Sequence, residues 1–171
     1  GIYQQKNILT VIASFQQLNE IGFRITEQHI RSGVSHTVRL TGLLGRWHVL
    51  NKTPLTVCDT GHNEDGIKQI VEQIELTTYN QLHIITGMVK DKEVEKVLAL
   101  LPKYANYYFT KAQIPRALPE NELAEKAADA GLQGKPFKDV NTALKEALQH
   151  AHKDDLLLVC GSVFLVGEVT L

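Results

Sequence analysis

Asp59, Thr60, His62, Asn63, Glu64 and Asp65 crowd one short stretch, LTVCDTGHNEDG, in which Gly61 and Gly66 bracket the polar groups. The apolar run Leu55, Val57, Cys58 stops at Asp59, and Ile67, Ile70, Val71 and Ile74 follow at helical spacing. A strand entering a polar turn and then a helix presents carboxylate, imidazole, carboxamide and unpaired N–H groups together. That is a place to hold a polar or anionic ligand. The same residues also suit a plainer role, with Asp59, Thr60 and Asn63 only capping the helix. His62 has no partner histidine at metal spacing, and Asp59 with His62 lacks the nucleophile of a hydrolase.

Two further strand ends carry polar groups, TGMVKDK at Thr86–Lys92 and Gly161–Ser162. In a parallel sheet all three ends face one edge and share a cleft. Lys90 and Lys92 would there neutralise a phosphate or carboxylate, or stay solvated. Ser162 would bind a carboxylate or cap the final segment. Arg46, between Gly45 and Trp47, would stack on a planar ring or shield the aromatic. Neither G-x-G-x-x-G nor G-x-x-x-x-G-K-[ST] occurs, so the chain has no nucleotide-cradling loop of its own and alone is expected to catalyse nothing.

The elements that must position these groups alternate. Ile8, Val11, Ile12, Phe15 and Leu18 form a helical stripe that Gly22 stops, and Thr26 caps a second helix ending near Gly33. Neither has a strand beside it, and the chain starts almost at the first turn. The first forty or so residues are therefore expected to be the tail of something larger. From Gly42 the pattern changes to strands at Arg46–Leu50 and Leu55–Asp59 around a turn at Asn51–Pro54. The helix after the polar turn leads to a strand at Leu82–Thr86, then to a helix capped by Asp91 and ended by Pro102. A strand at Asn106–Thr110, a helix opened by Pro119 or Asn121, a brief strand near Pro136–Phe137 and a helix capped by Asp139 follow. Leu156–Cys160 and an apolar segment at Val163–Val169 complete the chain. The spacing predicts an α/β fold with a mostly parallel sheet and helices on both faces. Runs such as LLLVC lack alternation, as strands buried on both sides do.

A net charge of -1 and the lack of a basic patch with interleaved aromatics exclude a nucleic-acid footprint. Cys58 and Cys160 lie in apolar runs, form no metal-spaced set and imply no secreted disulfide framework. No run is long and apolar enough for a membrane span and no signal-peptide pattern appears, so the expected compartment is the cytoplasm.

GRWHVL, DTGHNEDG, TGMVKDKE and VCGSVFLVGEV, in that order and at those intervals, resemble the C-terminal domain of folylpolyglutamate synthase/dihydrofolate synthase, a bifunctional folate ligase of the Mur ligase superfamily. The opening IYQQKNILTVIASFQQL is similar to the YQ-x-x-N helix that ends the family's central ATPase domain. The resemblance implies a Rossmann-like domain over 45–171, preceded by an ATPase-domain remnant over 1–44. It implies an ATP-dependent ligase that adds L-glutamate to dihydropteroate or to folates through an acyl phosphate, with ATP and Mg2+ bound by the complete, monomeric enzyme. Carried over by position, Asn7, Arg46 and Asp59 match nucleotide-binding residues, and His62 and Ser162 match positions linked to glutamate binding. Asp91 and Lys92 match a DK pair with no assigned role, and no metal ligand is carried over. Thr60 and Gly61 stand where the family has Gly-Ala, and Glu64 where it has proline. The alternatives are the C-terminal domain of a peptidoglycan Mur ligase and a non-catalytic small-ligand or protein-binding module.

Overall fold

The structure is a computed structural model that describes residues 4–43, 45–90 and 93–170, the Lys6 side chain excepted. The chain divides into two compact units, Gly1–Leu44 and Gly45–Leu171.

In the first unit α1 (Gln4–Glu20) is followed by α2 (Glu27–Ser35) and α3 (Thr37–Thr41). Thr26 caps α2 as its sequence position predicts: its hydroxyl accepts the His29 N–H, and His29 Nδ1 accepts the Thr26 N–H in return. The helix does not end at Gly33 but continues to Ser35, and α3, which the apolar spacing did not predict, ends at Gly42 in the left-handed region. Neither α2 nor α3 holds a buried residue, while Leu9, Ile21, Phe23, Leu40 and Leu43 are exposed. Helices this short gain most of their stability from packing an apolar face, and here little is packed.

The second unit comprises β1 (His48–Lys52), β2 (Leu55–Cys58), α4 (Glu64–Glu75), β3 (Leu82–Thr86), α5 (Val94–Leu100), β4 (Asn106–Phe109), α6 (Glu120–Asp129), β5 (Gly134–Pro136), α7 (Val140–His150), β6 (Leu156–Cys160) and α8 (Val163–Gly167). The strands form one sheet in the order β1-β2-β6-β3-β4-β5, parallel except for β1, which pairs antiparallel with β2 as a hairpin. Boundaries shift from the sequence reading by a residue or two: β2 stops at Cys58 and β4 at Phe109, and β5 spans Gly134–Pro136. The first strand starts at His48, because Arg46 and Trp47 form a bend before it. The residue at the N-cap of α5 is Glu93, while the predicted cap Asp91 lies with Lys92 outside the described residues. The segment after Ser162 is the helix α8.

Strand order fixes the layers. The connections β2–α4–β3, β3–α5–β4 and β4–α6–β5 all advance across the sheet, so right-handed crossovers place their helices on one face. The return from β5 to β6 runs the other way and puts α7 on the opposite face. Side chains follow: Val57, Ile84, Tyr107 and Leu158 pack with α4, α5 and α6, whereas Cys58, Ile85, Tyr108 and Val159 pack with α7 and α8. Both faces of β3 and β6 are buried, which accounts for their unbroken apolar runs.

Candidate functional site

After β2 the chain turns to α4 on one face, and after the neighbouring β6 it turns to α8 on the other. Departures to opposite faces from adjacent parallel strands open a crevice at their carboxyl ends. The polar turn and Gly161–Ser162 flank that crevice, joined by the Gly161 N–H donating to the Gly61 carbonyl at 3.1 Å. Gly161 sits at φ +105, and a Cβ there would lie 2.7 Å from Thr86 Oγ1 and 2.8 Å from the Gly87 carbonyl oxygen. Only glycine lets the β6 turn lie this close to the end of β3. The ends of β2, β6 and β3 therefore meet at Gly61, Gly161 and Gly87, while among the described residues no contact places Lys90 with them.

Asp59 is buried, and its carboxylate ties the crevice to the segment before β1. Oδ2 accepts the Trp47 N–H at 2.7 Å and Oδ1 accepts the Gly61 N–H at 2.9 Å. Thr60 extends the tie. Its N–H and its hydroxyl both donate to the Gly45 carbonyl at 2.9 Å, and its hydroxyl oxygen accepts from Arg46 Nη1. Arg46 thus spends one nitrogen on the turn, while its Nε and Nη2 donate to no described residue. Its guanidinium is anchored to Thr60 rather than laid against Trp47.

His62 is exposed, and its Nδ1 lies 3.0 Å from the Thr60 carbonyl oxygen. A carbonyl only accepts, so Nδ1 carries a proton, and the tautomer this selects has its lone pair on Nε2. Asn63 caps α4, accepting the Gly66 N–H at 2.9 Å, and Glu64 pairs with Lys68 at 2.6 Å. With a side-chain cap and two acids, Glu64 and Asp65, in its first turn, this helix end disfavours an anion. Of the three residues that suit capping, only Asn63 caps α4; Asp59 and Thr60 bond instead to Trp47, Gly61 and Gly45, and His62 faces outward.

Ser162 is 5% exposed and caps α8, its Oγ accepting the Phe164 N–H at 3.2 Å. The hydroxyl proton is not used by that bond and remains for a ligand. Lys90 is exposed, and its backbone N–H donates to the Arg116 carbonyl at 2.9 Å. Asn7 lies in the first unit, exposed on α1, where its Nδ2 donates to Gln4 Oε1 at 3.2 Å.

One feature beside the crevice escaped the sequence reading. The Arg116 guanidinium stands 4.7 Å from the centre of the Phe164 ring, bringing a cation to α8 from the loop after β4. An arginine held between Pro115 and the Ala117-Leu118-Pro119 run was its only signal.

The buried thiols are not nucleophiles. Burial, reinforced by the Asp59 charge, pushes Cys58 up to about 11 and Cys160 up to about 12. Among the described residues no group of three His, Cys, Asp or Glu side chains is placed to hold a metal ion. Among the described residues the crevice gathers polar groups and no glycine-rich phosphate loop.

The sequence model of the family "Mur ligase, glutamate ligase domain" matches residues 45–163. The dihydrofolate synthase/folylpolyglutamate synthase of Escherichia coli (strain K12) is 27% identical over 96% of this chain and 37% of its own length. The chain thus spans little more than a third of that relative. The solved structure of E. coli FolC in complex with ADP superposes with a TM-score of 0.79 at 26% identity, covering 95% of this chain and 37% of that one. A bifunctional folylpolyglutamate synthase/dihydrofolate synthase with Mn, AMPPNP and L-glutamate bound gives a TM-score of 0.71 at 27% identity, over 87% of this chain and 35% of that one.

Proposed function

The chain belongs to the Mur ligase family through its glutamate ligase domain, and from that premise we propose that it forms the C-terminal part of an ATP-dependent ligase joining L-glutamate to dihydropteroate or a folate. Residues 1–44 would be the closing helices of that enzyme's ATPase domain, and residues 45–171 its glutamate-side domain. The observation that carries the reading is the Gly61–Gly161 hydrogen bond, which sets the His62 turn beside Ser162 across the crevice.

Ligation requires the ammonium of glutamate to lose a proton before its nitrogen attacks an acyl phosphate. The new C–N bond forms as the C–O bond to phosphate breaks, and phosphate leaves with the electron pair. His62, its Nδ1 held by Thr60, offers Nε2 to accept that ammonium proton. The Ser162 hydroxyl donates to a carboxylate of glutamate, and the unspent N–H groups of Arg46 meet the anionic phosphate side. Asp59 acts by positioning, holding Arg46 and His62 at fixed separation through backbone bonds. Mg2+ would be held by the remainder of the enzyme, since the described residues do not fit it. Asn7 would contribute to the nucleotide side from α1. Among the described residues no helix is long and apolar enough to cross a membrane, and it is the resemblance to folate ligases that leads us to place the enzyme in the cytoplasm as a monomer.

The test is glutamate ligation by the full-length protein with ATP and dihydropteroate. His62→Ala should lower kcat/KM for glutamate by about 10²-fold or more with the fold intact, whereas unchanged kinetics would overturn the reading.

A further inference from the structure

Two loops at the carboxyl edge of the sheet are stitched together. The loop after β3 pairs antiparallel with the loop after β4 at Val89 and Ala117. The Lys90 N–H donates to the Arg116 carbonyl at 2.9 Å, and the Leu118 N–H to the Met88 carbonyl at 2.8 Å. Residues opposite one another on such a pair project to the same side. Met88 and Leu118 obey this, both entering the core, and the next rung sets Lys90 opposite Arg116. Like charges in that relation repel. Both side chains are exposed, and among the described residues neither meets a carboxylate.

The acids that could neutralise Arg116 from its own loop and from α8 are already engaged. Glu120 pairs with Lys111 at 2.8 Å, and Glu168 accepts the Gln113 N–H at 2.7 Å, so the same bonds also fix the loop. Phe164 then sets the guanidinium, its ring centre 4.7 Å away, and a ring face consumes none of the N–H donors. Phe164 lies two residues beyond Ser162, whose Oγ accepts its N–H. The result is a positioned cation with unspent donors, next along α8 from the serine of the crevice.

Glutamate brings a group that nothing yet receives. His62 takes a proton from its ammonium and Ser162 meets one carboxylate, after which the bound amino acid carries two negative charges. Its second carboxylate lies three carbon–carbon bonds beyond the carbon that bears the amine. Resting on the ligase reading, we propose that Arg116, with Lys90 beside it, binds the side-chain carboxylate of the incoming glutamate. The guanidinium donates two parallel N–H bonds to the carboxylate oxygens, Lys90 adds charge, and the anion relieves the repulsion between the two cations.

The test is glutamate ligation by the full-length protein with ATP and dihydropteroate, run on a series that steps the charge at one position. Arg116→Lys should raise KM for glutamate about fivefold, Arg116→Gln about 30-fold and Arg116→Glu further still, the scale of a hydrogen bond to a charged group. Both kcat at saturating glutamate and KM for ATP should hold within about twofold, as for an interaction made equally in the ground and transition states. Lys90→Gln and Phe164→Leu should each raise KM for glutamate about threefold. The Arg116 side chain makes no hydrogen bond among the described residues, so thermal midpoints should match across the series. A merely structural role would not rank the variants by charge. Equal KM values across the series, or a rise in KM for ATP as large as that for glutamate, would overturn the proposal while leaving the ligase reading standing. A parent protein that ligates no glutamate would remove the ligase reading and this assignment with it.

Discussion

The buried carboxylate of Asp59 accepts the backbone N–H of Trp47 at 2.7 Å, and Trp47, at φ 49°, is the one non-glycine residue of positive φ among the described residues. A bulky aromatic in the left-handed region is strained and persists where its surroundings hold it. Here the same carboxylate also holds Gly61, so one side chain ties the polar turn to the segment before β1.

Asp59→Asn replaces an acceptor oxygen by a donor and leaves a backbone N–H without its partner. The second unit should lose about 1–3 kcal/mol. Urea denaturation of the variant and the parent chain measures this, and an unchanged midpoint would remove Asp59 from its positioning role.

Gly161→Ala places a methyl group against Thr86 Oγ1 and the Gly87 carbonyl oxygen at a φ that L-residues avoid. Strain and clash together should cost at least about 2 kcal/mol, and in the full-length protein the variant should raise KM for glutamate by separating Ser162 from His62. Thermal unfolding and ligation kinetics of the same preparation test both effects. Full stability in that variant would show that the β6 turn has slack.

Burial lowers the affinity of His83 for a proton, against the opposing pull of Asp155. The unfolded chain therefore binds this proton more readily than the folded one, and stability rises with pH where the two differ. The His83 contribution is complete above the ordinary histidine range near about 6.5 and is lost as pH falls below it. Urea midpoints between pH 7.5 and 5 (roughly the histidine window) should fall with pH, and less steeply in His83→Gln. Parallel curves for the two proteins would assign the dependence elsewhere.

Cys58 and Cys160, raised to about 11 and about 12, should not react with Ellman's reagent at pH 8 (roughly the free-thiol pKa) in the folded chain. In guanidinium both should titrate rapidly. A thiol that reacts at once under native conditions would contradict the burial of β2 and β6.

Local chemistry carried much of this structure into the sequence. Thr26, Asn63 and Asp139 were recognisable as helix caps because the preference is a side-chain oxygen meeting a nearby N–H, and each makes that bond. Leu82–Thr86 and Leu156–Cys160 were legible as apolar runs for which burial on both faces is the only economical state. What stayed hidden is non-local. Nothing within LHIIT reveals that His83 meets Asp155, which lies far along the chain at the start of another strand. The insertion of β6 between β2 and β3, which assembles the crevice, depends on crossover handedness and sheet packing rather than on any residue near His62 or Ser162. Helix α3 was missed because five residues give too little periodicity to read.

The place of β6 bears on how the protein is made. A ribosome delivers residues in order, yet β2 and β3 are joined to each other only through β6, which emerges after the other five strands of the sheet. A nascent chain that has reached Asp155 carries two half-sheets with unpaired inner edges and no lasting reason to align. Closing the gap brings together segments far apart in sequence, the slow kind of contact in folding. A break in the chain before Leu156 would therefore remove the centre of the sheet and expose two sticky borders, a product suited to degradation rather than to partial activity.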